Sequence, residues 1–491
     1  MHNRVDKFRE IASREMQNEL SRAFLLMLSL GAPIMRQIGM SSFPDPDCAE
    51  AYGRAIRAEA IERMPELLEE FEKNAEASGA KVIWAKDAGE ANAAVLKIAK
   101  ERNISYVTKG KSMVTEETGL NEHLIENGVD VFESDLGEVI TQMLGRLPFH
   151  IVGPALNVPP GEISDIFLKK GIIKEPTDIF LKKGIIKEPT ENPVELGRAA
   201  RVFLREKFRR LEMGIVGVNM AVAETGTIIN VENEGNIRMN KSSPKTLVAI
   251  MSLEKVVPTM TDALHMARIL SRNCTGQKLT GYVSMDTGPK KPGEIDGPEE
   301  LFIIIVDNGR SEIYRDVKVR EILRCIRCGA CLNTCPVYSK IGGYPYGFSY
   351  SGPMGQIINP MLLGIGSTAD LYRACTLCGA CKNICPAGID HPSLLLEYRA
   401  RQKGQGNMPV FERMTATAAS VAMASGSLWS IGAKCARPLL NSFAKDGYIK
   451  NMPLVAKGWF ACRDLRAMPR KTFREMWKEL NKSSADKKES I

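Results

Sequence analysis

Eight of the twelve cysteines fall between Cys325 and Cys385, in two runs of one spacing: CIRCGACLNTCP at 325–336 and CTLCGACKNICP at 375–386. Cysteine thiolate is the usual ligand of iron–sulfur clusters, and in two-cluster proteins with this spacing the fourth cysteine serves the neighbouring cluster. A cubic 4Fe-4S cluster presents four irons, each needing one outward ligand. Three cysteines at x2 spacing let a short loop wrap one side of such a cube. Gly329 and Gly379, directly after each second cysteine, remove side-chain bulk where backbone approaches sulfide. Pro336 and Pro386 hold the fourth cysteine extended and direct it away from its own loop. The expected cofactors are therefore two 4Fe-4S clusters, one on Cys325, Cys328, Cys331 and Cys385, the second on Cys375, Cys378, Cys381 and Cys335. Four-cysteine zinc sites also use C-x2-C pairs, but zinc requires neither the third cysteine nor a repeated Cys-Pro. With every iron capped by thiolate, the expected chemistry is electron conduction.

Other reactive residues are sparse. Cys48, Cys274, Cys435 and Cys462 stand alone and are expected as buried packing residues. The five histidines are scattered, and His391, after CPAGID, can at most tune a nearby cluster by hydrogen bonding. TKGKS at 108–112 lacks the first glycine of a phosphate loop, since Ser105 stands there. If the region binds a carboxylate or another anion, Lys109, Lys111 and Ser112 are the candidates. Glu224, in AETGT, is a candidate acid or base, with a turn or helix-capping carboxylate as the alternative. GIGSTA at 364–369 fits a dinucleotide pattern but follows no strand.

The elements that must position these residues are legible in outline. At 491 residues the chain is too long for one core. Its 44% apolar and 25% charged residues indicate a globular protein. Residues 1–75 are expected to be helical, with a break at SSFPDPD. Over 76–312, short β-rich runs (KVIWA, SYVTKG, VDVFESD, HIVG, TLVAIMS, ELFIIIVDNG) alternate with longer amphipathic stretches, which argues an α/β domain with a largely parallel sheet. Residues 313–400 form the cysteine region, expected to be helical, and 401–491 a basic, mostly helical C-terminal region. That last region carries a net +10 against −2 for the remainder. It suits an acidic partner or an anionic membrane surface, with a solvated face and a frayed end (KSSADKKES) as the alternative; no nucleic-acid partner is expected.

The opening MHNRVDKFREIASREMQNEL is charged throughout and reads as no secretory signal, so a cytoplasmic location, where thiols stay reduced, is expected. The apolar run AFLLMLSLGAPIM, 23–35, is shorter than the roughly 20 residues that cross a bilayer and is expected to be a packed helix. Residues 414–433 carry no charge but are rich in Ala, Ser, Thr and Gly, and read as a packed or partner-facing helix. DIFLKKGIIKEPT occurs twice in tandem, at 165–177 and 178–190. This local duplication is expected in a surface connection, where added length costs little closure entropy.

Taken together, CIRCGACLNTCPVYSKIGGYPYGFSYSGPMGQIINP, CTLCGACKNICPAGIDHPSLLLEYR, VTKGKSMVTEETGLNEHL, GVNMAVAETGTIINVENEGN and SLEKVVPTMTDA resemble the lactate-utilisation protein B family over nearly the whole chain. The resemblance implies a lactate-utilisation domain with a ribose-phosphate isomerase/CoA-transferase-like fold, followed by a helical two-cluster ferredoxin domain. It implies the iron–sulfur electron-transfer subunit of a cytoplasmic complex oxidising L-lactate to pyruvate. Two companion subunits are implied, one cysteine-rich and one a small lactate-utilisation-domain protein, together with an electron acceptor. The residues themselves leave open a glycolate-type 2-hydroxy-acid oxidase, or an anion-binding α/β enzyme with regulatory clusters, and reveal no active site of the chain's own.

Overall fold

The computed structural model describes residues 5–171, 191–404, 410–452, 460 and 463–488. Two compact units result, Met1–Gln402 and Lys403–Ile491. The first opens with helices α1 (Phe8–Gln17), α2 (Glu19–Met40), α3 (Pro46–Glu62) and α4 (Met64–Ala77). Local chemistry sets their ends. Asn18 accepts a hydrogen bond from the Ser21 N–H to start α2. Asp45 accepts from Cys48 N–H, with Pro46 at the first position of α3, which realises the break expected at SSFPDPD. The stripe Met64, Leu67, Leu68, Phe71 and Ala75 then buries one face of α4.

A six-stranded sheet follows, in the order β1 (Lys81–Ala85), β10 (Glu300–Val306), β7 (Thr246–Ser252), β4 (Met213–Gly217), β2 (Tyr106–Lys109), β3 (Asp130–Glu133). Every pairing in it is parallel. Central strands of such sheets are covered on both faces and are apolar throughout. β7 and β10 show why: Leu247, Ala249, Met251, Leu301, Ile303 and Ile305 enter one core cluster, and the alternate residues Val248, Ile250, Phe302, Ile304 and Val306 enter another. The first of these clusters also contains residues of α1, α2 and α4 together with Cys331, Cys335, Cys381 and Cys385. The N-terminal helices, one face of the sheet and the cysteine region thus share a single core. A smaller sheet in the order β8 (Val256–Val257), β5 (Met220–Val222), β6 (Thr227–Glu232), β9 (Tyr282–Asp286) leans on α3 and the helix Met260–Cys274.

After β10 the unit is helical. Among its helices, Gly352–Leu363 and His391–Gly404 are the longest. Tyrosines fill this region. Tyr338, Tyr346, Tyr350, Tyr372 and Tyr398 are all buried, and the hydroxyls of Tyr338 and Tyr398 donate to the carbonyls of Phe149 (2.9 Å) and Ile357 (2.7 Å).

Several expectations are corrected. HIVG forms no strand; residues 149–153 make an irregular loop closed by the Phe149 N–H on the Pro154 carbonyl. α2 is longer than its apolar run, because capping at Asn18 extends it to 22 residues, and by length and composition it could cross a membrane. Only Ser21, Leu25, Gly39 and Met40 of α2 are buried, while Leu20, Met27, Leu30, Ile34 and Ile38 are exposed. The charge-free stretch at 414–433 is split: helix Val410–Ala424 ends, and Ser425 caps a second helix, Gly426–Asn441, none of whose residues is buried. Cys48 and Cys435 are exposed, the first near the start of α3, the second on that unburied helix. Of the duplicated segment, 165–171 are described and end the helix Pro160–Lys169, where Ile166 and Phe167 are buried; the remainder, 172–190, lies outside the described residues, as does Cys462.

The second unit holds those two helices, the helix Phe473–Lys488 and a small antiparallel sheet of β11 (Ala444–Lys445), β12 (Tyr448–Ile449) and β13 (Leu465–Arg466).

Candidate functional site

The two cysteine runs fold alike. Arg327 and Leu377, each two residues after the first cysteine, have φ of 62° and 56°, and Gly329 and Gly379 have 76° and 81°. A left-handed conformation costs a non-glycine residue about 1–2 kcal/mol, so its double occurrence marks a demand of the loop. The return is a set of N–H groups on sulfur. Arg327 N–H donates to Cys325 Sγ (3.4 Å) and Leu377 N–H to Cys375 Sγ (3.3 Å). Beyond the fourth cysteines, Tyr338 N–H donates to Cys335 Sγ and Ile389 N–H to Cys385 Sγ, both at 3.5 Å. Such bonds favour the thiolate over the thiol.

The sulfurs group across the runs. Burial raises the Cys328 and Cys331 thiols far above the usual range, and the sulfurs of Cys325 and Cys385 raise them further. Burial likewise raises Cys335, whose sulfur neighbours are Cys375 and Cys378. Cys381 is pushed up to about 12 by burial, then by Cys335 and Cys375. Each fourth cysteine thus acts electrostatically on cysteines of the other run, Cys385 on Cys328 and Cys331, and Cys335 on Cys381. Thiols buried this way ionise only when a metal draws on them. Soft sulfur donors, facing N–H groups and an apolar surround suit iron–sulfur clusters. His391, pushed down to about 4 by burial, bonds the Ile389 carbonyl at 3.1 Å, so it braces the residue whose N–H meets Cys385.

A buried ion network ties the first loop to the α/β domain. Arg327 donates to Glu254 Oε1 (2.9 Å) and lies over the Tyr350 ring. Glu254 also faces Arg310, which is paired with Glu117, and the Tyr350 hydroxyl donates to Glu117 at 2.6 Å. Side chains of Arg310, Glu117 and Glu254 are fully buried. Burial alone would raise the Glu254 carboxyl, but Arg310 and Arg327 overcome it and hold it at about 2. Arg57 of α3, brought down to about 10 by burial, donates to the carbonyls of Glu254 (2.7 Å), Leu323 (3.0 Å) and Arg324 (3.1 Å). One guanidinium thus joins a helix, the end of β7 and the approach to Cys325.

Beside this network lies a cavity of about 280 Å³, lined among others by Lys111, Ser112, Asn230, Lys255, Cys274 and Arg327. Lys111 Nζ is 3.4 Å from Glu138 Oε1, and Ser112 caps the short helix Met113–Thr118. Lys109 is committed elsewhere: it is buried, 2.7 Å from Glu133 Oε1, and donates to Thr115. Glu224 is exposed and accepts from the Met260 N–H (2.9 Å) at the start of a helix. Burial, then Arg327, bring the Lys255 ammonium down to about 8 against Glu254 and Cys325. Cys274 is raised to about 11 by burial.

Sequence reasoning missed Arg57, Glu117, Glu254, Lys255 and Arg310. Two signals were present: Glu254 and Lys255 interrupt the otherwise apolar TLVAIMSLEKVV, and Arg327 is the one charge inside CIRCGAC.

Fold and site define an α/β protein carrying a ferredoxin-type cysteine segment. Residues 68–306 match the LUD domain and 321–389 the 4Fe-4S dicluster domain. Lactate utilization protein B of Bacillus licheniformis is 36% identical over 99% of both chains. That of Bacillus subtilis is 36% identical over 99% of this chain and 98% of its own, and that of Geobacillus kaustophilus 39% identical over 87% of each. The chain belongs to the lactate utilization protein B family. A DUF162 family structure from Deinococcus radiodurans aligns with 50% of this chain and 98% of its own, at 14% identity and a TM-score of 0.26.

Proposed function

We propose that this chain is the iron–sulfur electron-transfer subunit of a complex that oxidises L-lactate to pyruvate. The observation that carries the reading is a pair of cysteine loops of one geometry, each turning N–H groups onto its first and fourth sulfurs, in a chain whose relatives are named lactate utilization protein B. Cys325, Cys328, Cys331 and Cys385 would hold one 4Fe-4S cluster, and Cys375, Cys378, Cys381 and Cys335 the other. When bound, such clusters take up and pass on single electrons.

The chain's own residues supply the setting. N–H groups of Arg327, Leu377, Tyr338 and Ile389 stabilise charge on sulfur. Arg327, fixed by Glu254, places a permanent positive charge beside the first loop. The tyrosine-rich core keeps water from Cys331, Cys335, Cys381 and Cys385. Ligands exchanged between the runs would hold two such centres near each other, so that the segment would serve as a short wire. Companion subunits, one cysteine-rich and one a small lactate-utilisation-domain protein, and an external acceptor complete the path. Eight reduced thiols suit a cytoplasmic complex.

The test is anaerobic reconstitution with the companions. L-Lactate is expected to reduce the clusters, seen as bleaching of their visible absorbance and appearance of an EPR signal. Reduction by glycolate with no response to L-lactate would reassign the substrate; two zincs and no iron would end the reading.

A further inference from the structure

The large sheet has a topological switch point. From β2 the chain continues to β3 on one side, whereas from β4 it re-enters this sheet at β7 on the other, and β2 and β4 are hydrogen-bonded neighbours. In open parallel sheets, ligands bind in the crevice such a reversal leaves outside the carboxyl ends of the strands. The crevice here is the 280 Å³ cavity, lined by residues that directly follow β2 (Lys111, Ser112), β4 (Val218, Asn219) and β7 (Lys255), with Arg327 of the first cysteine loop across from them. Gly217 keeps the junction open, because a Cβ there would stand 2.6 Å from Ser112 Oγ. The volume lies just below the about 300–1,000 Å³ of typical ligand pockets, and admits a small acid but no dinucleotide.

Two groups lining this cavity lack partners. Lys255 is half-buried, yet its ammonium forms neither an ion pair nor a hydrogen bond among the described residues. Asn230 is 1% exposed; its Nδ2 donates to the Gly217 carbonyl at 2.6 Å, which fixes the amide's orientation, and its Oδ1 has no partner. Leaving a buried acceptor unpaired is costly, so an orphan cation and an orphan acceptor in one cavity call for a ligand offering an anion and a donor. The charges are also polarised. The strongest charged neighbours of Lys255 are Arg327, Glu254, Cys325 and Arg57, whereas those of Glu234, on the same cavity, are Asp135, Glu232 and Lys111. A singly charged ligand can lodge at the cationic pole, while a phosphate dianion would also face Glu232, Glu234 and Asp135.

We infer that this cavity is a binding site for a small hydroxycarboxylate, with the carboxylate held by Lys255 and Arg327 and the hydroxyl donating to Asn230 Oδ1. Binding involves no bond made or broken. The site adjoins the loop that carries Cys325 and Cys328, so an occupant sits next to the first set of cysteines. The choice of L-lactate as probe rests on the function proposed above; the cavity and its orphan groups do not.

The test is isothermal titration calorimetry of L-lactate, propionate and inorganic phosphate into the full-length, cluster-loaded protein under anaerobic conditions. Iron content and the thermal midpoint are measured on every sample. L-Lactate is expected to bind, and propionate, which lacks the hydroxyl, at least fivefold more weakly. Lys255→Met should weaken L-lactate at least tenfold with iron content unchanged. Asn230→Ala should bring L-lactate down to the affinity of propionate. The inference is overturned if iron-replete wild-type protein binds no L-lactate, if phosphate binds as tightly, or if Lys255→Met binds L-lactate as the wild type does. Should Lys255→Met fail to fold, equal affinities of the wild type for L-lactate and propionate overturn it alone. Absence of iron would instead refute the electron-transfer reading, whatever the calorimetry shows.

Discussion

The two cysteine loops share spacing, backbone torsions and N–H···S bonds, but their surroundings differ. A Cβ on Gly329 would meet Val152 at 3.3 Å and Ile151 at 3.4 Å, whereas a Cβ on Gly379 would meet nothing within 4 Å. Cys328 is buried and its counterpart Cys378 exposed. Arg327 belongs to a buried ion network, while the equivalent Leu377 has no charged partner to recruit and Thr376 beside it is exposed. The motif therefore specifies the torsions and N–H groups around the sulfurs, and the fold decides which loop is sealed against the α/β domain and which opens to solvent.

The largest effect that could break this comparison concerns the proposed exchange of fourth ligands. Cys385→Ala should empty the first loop and Cys335→Ala the second, each leaving half of the iron of the wild type by chemical analysis. The cluster surviving in Cys335→Ala is the sealed one and should resist an external chelator, whereas that in Cys385→Ala should be stripped quickly. The opposite order of chelation would mean that each loop keeps its own fourth cysteine.

Next in size is the ion network. Glu254→Ala leaves Arg310 and Arg327 buried without their shared carboxylate and should destabilise the protein by about 3–5 kcal/mol in urea unfolding. At the second loop, Lys382 is paired with Asp390 at 2.5 Å on an exposed surface, and Lys382→Ala should cost less than about 1 kcal/mol. Equal losses would erase the distinction between the two settings.

A pH dependence sharpens it further. His150 sits under the first loop, with Nε2 on Asn333 Oδ1 (3.1 Å) and Nδ1 accepting from Val152 N–H (3.2 Å). Both ring nitrogens are used by the neutral form, and burial pushes the ring down to about 4 from 6.5. Between those values the unfolded chain binds a proton that the native state does not. This contribution is complete above pH 6.5 and is lost as pH falls towards 4, at about 1.4 kcal/mol per pH unit. Urea titrations from pH 4.5 to 7 should show that slope, reduced in His150→Phe; an unchanged slope would remove His150 as its source.

The smallest difference is expected for the glycines. Ala at either left-handed position costs about 1–2 kcal/mol, but Gly329→Ala should exceed Gly379→Ala because only the former presses on Val152 and Ile151. Matching unfolding midpoints would show the 150–153 loop yielding freely.

Much of this could be read in advance. KVIWA, TLVAIMS and ELFIIIVDNG became β1, β7 and β10; β7 and β10 are buried on both faces, which makes their consecutive positions apolar. HIVG had the same β-branched look, but its backbone is held by the loop closure of Phe149 onto Pro154, a contact no local pattern announces. The run at 23–35 does lie in a helix, but one that leaves Met27, Leu30 and Ile34 exposed instead of packed. Of the anion candidates, Lys111 and Ser112 line the cavity, whereas Lys109 is buried against Glu133; Lys109 ends β2, and the other two lie just beyond it.

By itself, the sequence determined the cysteine spacing, the glycines beside it and the strand–helix alternation, since each depends on residues a few positions apart and on local torsions. Only the tertiary structure decided that Arg57, Glu117, Glu254, Arg310 and Arg327 meet around one loop, and that Lys255 and Asn230 share one cavity. Burial and polar contacts come from segments far apart in sequence, 267 residues between Arg57 and the Arg324 carbonyl, and desolvation acts on a group only once the chain has closed around it.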